Sequence, residues 1–168
     1  NPSTDPPAAA PCRNCGTPAV PIDSADFLAQ LVPELAERAR PLCEHPKIRV
    51  LRDESKQRLA RLVLRASQAV GSGECSLDAA NRFIDWLEPL LRRESYLALL
   101  VERPEVQARL LRLLGLARWP MRYLMQHPGV IDELADTRLL AERFDPAEFH
   151  AELEERHAAW VRSGEASE

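Results

Sequence analysis

The sequence predicts an all-α protein: an irregular helical array or bundle of about seven to nine helices, preceded by a disordered, proline-rich N-terminal arm. Leu and Ala, both strong helix formers, supply 48 of the 168 residues, whereas Val, Ile and Thr together supply only 16. Apolar residues recur at spacings of three and four, and no stretch alternates apolar and polar residues over the length of a strand. The length suits one domain or two small helical subdomains.

Residues 1–22 are predicted to be a linker or disordered arm, because six of the 14 prolines lie there and few residues could join a core. The chain begins at Asn1 rather than Met, so we expect it to be a piece of a larger protein. The expected division is an arm at 1–22, a helical domain at 23–162 with possible subdomains 23–93 and 94–162, and a tail at 163–168.

The first predicted helix follows a cap at Asp23 or Ser24 and runs to about Arg40. A loop between Pro41 and Pro46 is expected after it. The helix turns one apolar face inward, formed by Phe27, Leu28, Leu31 and Leu35.

The next two predicted helices each carry an apolar stripe of five residues. One is capped by Asp53 and ends at the glycines of residues 71–73, and the other is capped by Ser76. A kink is expected at Pro89, whose ring would clash with the carbonyl of Asp85. The stripes are Leu59, Leu62, Val63, Ala66 and Val70, then Leu77, Ala80, Ile84, Leu87 and Leu91.

In the second half of the chain, the sequence predicts a series of helices, most of which begin at a proline. A short helix covers 95–102, and further helices start near Pro104, Pro120 and Pro128, where the missing N–H costs nothing. The helix from Pro104 turns Val106, Leu110, Leu113, Leu114 and Ala117 inward. The last helix follows a capping box, Asp145-Pro146-Ala147-Glu148, and buries Phe149, Leu153 and Trp160.

The charge is acidic overall but uneven along the chain. The net charge of -4 disfavours a general nucleic-acid binder. Residues 1–46 sum to -3, 47–126 to +6 and 127–168 to -7, so the basic middle and the acidic end could dock on each other or on partners of opposite sign. No apolar run reaches the roughly 18 residues of a membrane span, and no signal peptide opens the chain. We therefore expect no membrane partner and a cytoplasmic protein.

Two groups of residues are candidate metal ligands. Cys12 and Cys15 form a C-x-x-C-G knuckle, and Cys43 with His45 is a possible second pair, although one intervening residue leaves little room for two ligands. Free thiols in a reducing compartment are the preferred interpretation, with Cys75 a small apolar residue beside a cap. In the last helix Glu154 could link His150 and His157 around a metal, but a solvated acidic face explains that pattern better.

Catalytic motifs are absent from the sequence. It contains no H-E-x-x-H, G-x-S-x-G, G-x-x-x-x-G-K-[ST] or G-x-G-x-x-G, and no D-x-D pair for Mg²⁺. The glycines at 71–73 follow a predicted helix rather than a strand, so a linker is preferred to a phosphate loop. The prediction is no catalytic, cofactor-binding or metal-binding residue in this chain.

A run of arginines allows two interpretations. Arg58, Arg61 and Arg65 are spaced at helical intervals, and Arg109 with Arg112 forms a second pair. A surface that follows phosphates would have this pattern, but no aromatic residues are interleaved for base stacking. A solvated face or a protein-docking surface is preferred, and no nucleic-acid partner is expected.

Three ordered motifs stand out in the second half of the chain. They are the R-x-S-Y-L-x-L-L-x-E-x-P segment at 93–104, the L-x-R-L segment at 110–113 followed by Trp119, and the H-P-x-x-x-D-E-L segment at 127–134. Together they resemble the central region of bacterial glutamine synthetase adenylyltransferase, a bifunctional adenylyl-transferring and adenylyl-removing enzyme. The resemblance covers roughly residues 24–160.

The resemblance implies a helical linker or regulatory region between two catalytic halves, without chemistry of its own. Each half of such an enzyme uses a G-S…D-x-D motif, which this chain lacks, so no catalytic residue is carried over. It also implies Mg²⁺ and ATP for the complete enzyme. The implied partners are glutamine synthetase, the PII signal protein and the flanking catalytic domains. The alternative is a free-standing all-α interaction adaptor, although no repeat period of the solenoid type is present.

Overall fold

The structure is a computed structural model that describes residues 20–116, 126–127, 129–136 and 145–164. Those residues form nine α-helices and no strand, which confirms the all-α prediction. The N-terminal arm, including Cys12 and Cys15, lies outside the described residues except for its last three. The helices are α1 Ala25–Leu28, α2 Pro33–Cys43, α3 Pro46–Arg49, α4 Asp53–Gly71, α5 Leu77–Leu90, α6 Glu94–Glu102, α7 Pro104–Leu116, α8 Gly129–Leu134 and α9 Pro146–Arg162.

The single helix predicted from residue 24 to 40 is wrong, because the structure has two helices there. Ser24 caps the short α1 as predicted, its hydroxyl accepting a hydrogen bond from the Asp26 amide. The chain then turns, and α2 begins at Pro33, which has no N–H to continue an earlier helix and suits a first helical position. The predicted apolar face continues across the break between α1 and α2, since Phe27, Leu31 and Leu35 are all buried.

The loop predicted between Pro41 and Pro46 is also wrong. Helix α2 continues past Pro41 to Cys43, because burial of Leu42 and Cys43 fixes the last turn despite the lost backbone donor. Pro46 then starts the unpredicted α3, capped by the His45 ring.

Asp53 does not cap α4. The N-cap is Arg52, with no side-chain hydrogen bond, and Asp53 adds negative charge to the first helical turn, where the helix dipole favours it. The predicted stop is confirmed: α4 ends at Gly71 and Gly73 has φ of 78°, in the left-handed region that suits glycine.

Helix α5 agrees with the sequence except at its end. The Ser76 hydroxyl accepts from the Ala79 amide at 3.1 Å, as an N-cap should. The helix ends at Leu90, one residue after Pro89, so this proline marks the last turn rather than a kink inside a longer helix. Helix α7 begins at Pro104 as predicted.

The C-terminal helices begin at or next to the predicted prolines. Helix α8 starts at Gly129, and the start predicted near Pro120 lies outside the described residues, as does Ala117. The Asp145 carboxylate accepts hydrogen bonds from the amides of Ala147 and Glu148, so this cap of α9 is confirmed.

One hydrophobic cluster connects the described helices, from Ile22 before α1 to Trp160 in α9. Helix α5 packs against both α2 and α7, and α7 also packs against α9. The largest fully buried side chains include Phe83, Leu62 and Leu110. Helices α5 and α7 thus form the centre of the array.

None of the helices in the described ranges is both long enough and apolar enough to cross a membrane.

Candidate functional site

Cys43 and His45 lie at the junction of α2 and α3. Burial raises the pKa of the Cys43 thiol to about 11, with a further contribution from the nearby negative charge of Glu44, so the side chain remains protonated at neutral pH. The His45 ring is already engaged: Nδ1 accepts from the Lys47 amide at 3.1 Å, and Nε2 lies 3.4 Å from Glu88. The structure therefore places both residues in structural roles at the α2–α3 junction.

The histidines of α9 are also separated. His150 Nε2 lies 3.7 Å from Glu154, whereas the His157 ring packs on Trp160 at a centroid distance of 5.8 Å. Across the four described ranges, no three His, Cys, Asp or Glu side chains are grouped as a metal site would require.

The arginine run does not form one solvated face, so that interpretation is wrong for part of it. Arg109 is buried, at 6% exposure, and Arg65 is half-buried with both terminal nitrogens bonded inside the protein. Arg58 pairs with Glu54 at 2.7 Å. Arg61 and Arg112 are exposed.

Four arginines donate hydrogen bonds to carbonyl oxygens at the C-terminal ends of other helices. Arg65 on α4 donates to Leu100 and Val101 at the end of α6, at 3.1 and 2.7 Å. Arg82 on α5 donates to Leu114, near the end of α7, at 2.6 Å.

The other two arginines hold the end of α8. Arg109 on α7 donates to the Leu134 carbonyl at 2.5 Å, and Arg103, just before α7, donates to the Ala135 carbonyl at 2.8 Å. The carboxylate of Glu105 pairs with Arg103 at 2.8 Å. The pKa of Glu105 is lowered first by a backbone hydrogen bond and second by this pairing with Arg103. We call Arg65, Arg82, Arg103 and Arg109 the arginine caps.

The arginine caps satisfy groups that every helix leaves unpaired. The last four carbonyls of an α-helix have no partner within the helix, and that end carries partial negative charge. A guanidinium supplies several donors and a permanent positive charge. Each cap therefore fixes one helix against the end of another, and together they connect α4, α5 and α7 to the ends of α6, α7 and α8.

Sequence reasoning missed the arginine caps, although a signal existed for one of them. Arg109 lies three residues after Val106 and four before Leu113, so helical spacing places it on the inward face of α7. Arg82 and Arg103 carried no such signal, because their acceptors lie 32 residues away in the sequence.

A groove of about 810 Å³ separates the second half of α4 from α7. We call it the α4–α7 groove. Ala69, Ala108 and Leu111, which are small or apolar, line it together with Arg65 and Arg112. Beneath it, Gln107 Nε2 donates to the Leu62 carbonyl at 2.8 Å, which joins the two helices.

Comparison with known proteins connects this array to one group of enzymes. No family model matches the chain, and no solved structure matches it. It is 37% identical over 120 residues to the bifunctional glutamine synthetase adenylyltransferase/adenylyl-removing enzyme of Bordetella bronchiseptica. It is 37% identical over 121 residues to that of Ralstonia nicotianae, and 32% identical over 111 residues to that of Neisseria meningitidis serogroup A.

These matches cover 71%, 71% and 66% of this chain but only 13%, 13% and 12% of the relatives. The chain therefore spans about one eighth of the length of these curated relatives. The resemblance found in the sequence motifs is confirmed: the chain is homologous to one segment of the bifunctional glutamine synthetase adenylyltransferase/adenylyl-removing enzymes.

Proposed function

We propose that this chain is a helical linker and regulatory region of a glutamine synthetase adenylyltransferase, and that it has no catalytic site of its own. The complete enzyme would act on glutamine synthetase in the cytoplasm, using Mg²⁺ and ATP that are held by other domains. Control by the PII signal protein belongs to the same proposal. Homology to one short segment of a much longer bifunctional enzyme is the observation that carries it.

The arginine caps supply a physical basis for a regulatory role. Opposed activities in one polypeptide need an element whose arrangement both active sites influence, and packed helices move between discrete arrangements by small shifts. Arg103 and Arg109 bond the end of α8 to α7, while α7 is itself packed against α5 and α9. A displacement of α8 would therefore be transmitted to the centre of the array.

The experiment uses the intact enzyme that contains this sequence, assayed for addition and removal of AMP. In the Arg109→Ala variant, we expect the ratio of the two activities, or its response to glutamine and PII, to change by about two- to thirtyfold. Residues on a coupling path typically alter coupling by ~0.5–2 kcal/mol. The isolated chain is expected to show neither activity.

The matched control is Arg92→Ala, because Arg92 is exposed and forms no ion pair within the described part of the chain. It should leave both activities and their responses unchanged. If Arg109→Ala lowers the melting temperature but leaves the activity ratio and its effector responses as in the wild type, the region is a spacer. Activity of the isolated chain would contradict the proposal directly, and a stop codon after residue 168 would favour a free-standing adaptor.

A further inference from the structure

The α4–α7 groove has the dimensions of a short peptide-binding site. Its α4 side runs from Arg65 to Ser72, about two helical turns or ~10 Å. Ala69 on one side and Ala108 on the other are small and only partly buried, so another backbone can approach closely between them. Leu111 also lines the groove and is buried, at 4% exposure.

The charge around the groove is positive in an otherwise acidic chain. Arg65 and Arg112 line it, and Arg61 lies one turn before Arg65 on α4. None of these three forms an ion pair with a carboxylate in the described ranges. Two glutamates are among the described residues that line the groove, but Glu105 pairs with Arg103, so of these two only Glu74 is left against the three arginines. The local balance is therefore +2, whereas the whole chain carries -4.

We propose that the α4–α7 groove docks an acidic, amphipathic peptide segment of a partner protein. Its carboxylates would lie against the exposed Arg61 and Arg112, and its small or apolar side chains against Ala69 and Ala108. Arg65, whose terminal nitrogens are bonded to carbonyls of α6, adds positive charge at the groove. Complementary charge supplies orientation, and the shallow apolar floor supplies contact area. A nucleic-acid strand fits less well, because none of the described residues that line the groove is an aromatic side chain that could stack on a base. This inference goes beyond the proposed function and does not depend on it.

The test measures peptide binding to the 168-residue chain by fluorescence anisotropy. The probe is a labelled peptide of about three helical turns built from Glu, Ala and Leu with the glutamates on one face. We expect saturable binding that weakens with added salt. The Arg112→Glu variant should bind about tenfold more weakly, since a reversed charge both removes an attraction and adds a repulsion.

Three controls make the outcome specific. Arg61→Glu, a second exposed position beside the groove, should also weaken binding, whereas Arg92→Glu outside it should change the dissociation constant less than about twofold. The same peptide with Lys in place of Glu should not bind. Circular dichroism melting of each variant shows whether the fold is intact.

Cys75 gives an independent readout, because it lines the groove and is partly exposed. In a Cys12→Ser, Cys15→Ser background, the Glu-containing peptide should slow its alkylation. Absence of binding, equal binding of the Lys peptide, unchanged binding by the folded Arg112→Glu and Arg61→Glu variants, or unprotected Cys75 would each overturn the proposal. Tighter binding of a single-stranded oligonucleotide, lost in Arg112→Glu, would also overturn it in favour of a nucleic-acid site.

Discussion

Arg109 shows how a permanent charge is accommodated inside this helical array. Its guanidinium is buried beside the Leu134 carbonyl, an acceptor that α8 cannot satisfy within its own backbone. Burying a charge without acceptors costs several kcal/mol, so the guanidinium and the helix end stabilise each other. The burial of an arginine in this protein therefore depends on which carbonyl oxygens can accept its hydrogen bonds as much as on its access to water.

Cys43 carries a pH prediction at the residue scale. Burial raises its pKa from the ordinary value of 9.0 to about 11, so the folded state resists loss of the thiol proton. This contribution to the free energy of unfolding is fully present below pH 9 and is lost as the pH rises from 9 to 11. Urea denaturation at pH 8, 9.5 and 10.5 should therefore show falling stability in the wild type and a smaller fall in Cys43→Ala.

The comparison of slopes is needed because Cys43→Ala also removes buried volume and lowers stability at every pH. Cys75→Ala is the matched control: Cys75 is less buried, and its pKa is raised chiefly by desolvation and then by Glu74. Its pH dependence should remain closer to that of the wild type. Equal slopes in the wild type and Cys43→Ala would contradict the prediction.

At the scale of the element, helix α5 depends on its N-terminal cap. Ser76 accepts a hydrogen bond from the Ala79 amide, and α5 then packs against α2, α4 and α7. We expect Ser76→Ala to lower the free energy of unfolding by about 1 kcal/mol, measured by urea denaturation, because the Ala79 amide in the first turn of α5 loses its hydrogen-bond acceptor.

Ser72→Ala is the control for this prediction. Ser72 lies just past the end of α4 and its exposed hydroxyl donates to the Ala69 carbonyl at 3.2 Å, a contact that water can replace. Its effect should stay within about 0.5 kcal/mol. If the two variants were equally stable, the cap would not be what fixes the start of α5.

The whole molecule is organised around α5 and α7, which pack on each other across the predicted subdomain boundary at residues 93–94. The hydrophobic cluster continues on both sides of that boundary. Two units that share a core of this kind should unfold together.

We therefore expect one cooperative thermal transition, with the loss of helix in circular dichroism and the change in tryptophan fluorescence at the same midpoint. Trp86 on α5 and Trp160 on α9 report from the two sides of the boundary. Two transitions with separate midpoints would instead favour the division into subdomains 23–93 and 94–162. A Trp86→Phe variant distinguishes the two outcomes, because its remaining tryptophans, Trp119 and Trp160, both follow residue 93 in the sequence.

The sequence by itself determined the elements whose signals are local. The starts of α5 and α9 follow from a capping side chain, α7 begins at its proline, and α4 ends at Gly71, two residues before Gly73 takes a positive φ. Each signal lies within a few residues of the backbone group it controls, so no distant contact was needed to interpret it. The same applies to the family motifs, which are runs of consecutive residues. The break between α1 and α2 also had a local signal, which is Pro33. Because the apolar face continues across the break, the sequence pattern favoured one continuous helix.

Only the tertiary structure decided how α2 ends and which acceptors the arginine caps reach. Helix α2 passes Pro41 because burial of Leu42 and Cys43 outweighs a missing donor. Arg65 and Arg109 find their carbonyl acceptors 35 and 25 residues away in the sequence. A local sequence pattern predicts that a charged side chain faces water, because the few neighbouring residues offer no other acceptor for its hydrogen bonds. The fold supplies another acceptor, since each helix ends with unpaired carbonyls that packing brings to a neighbouring helix.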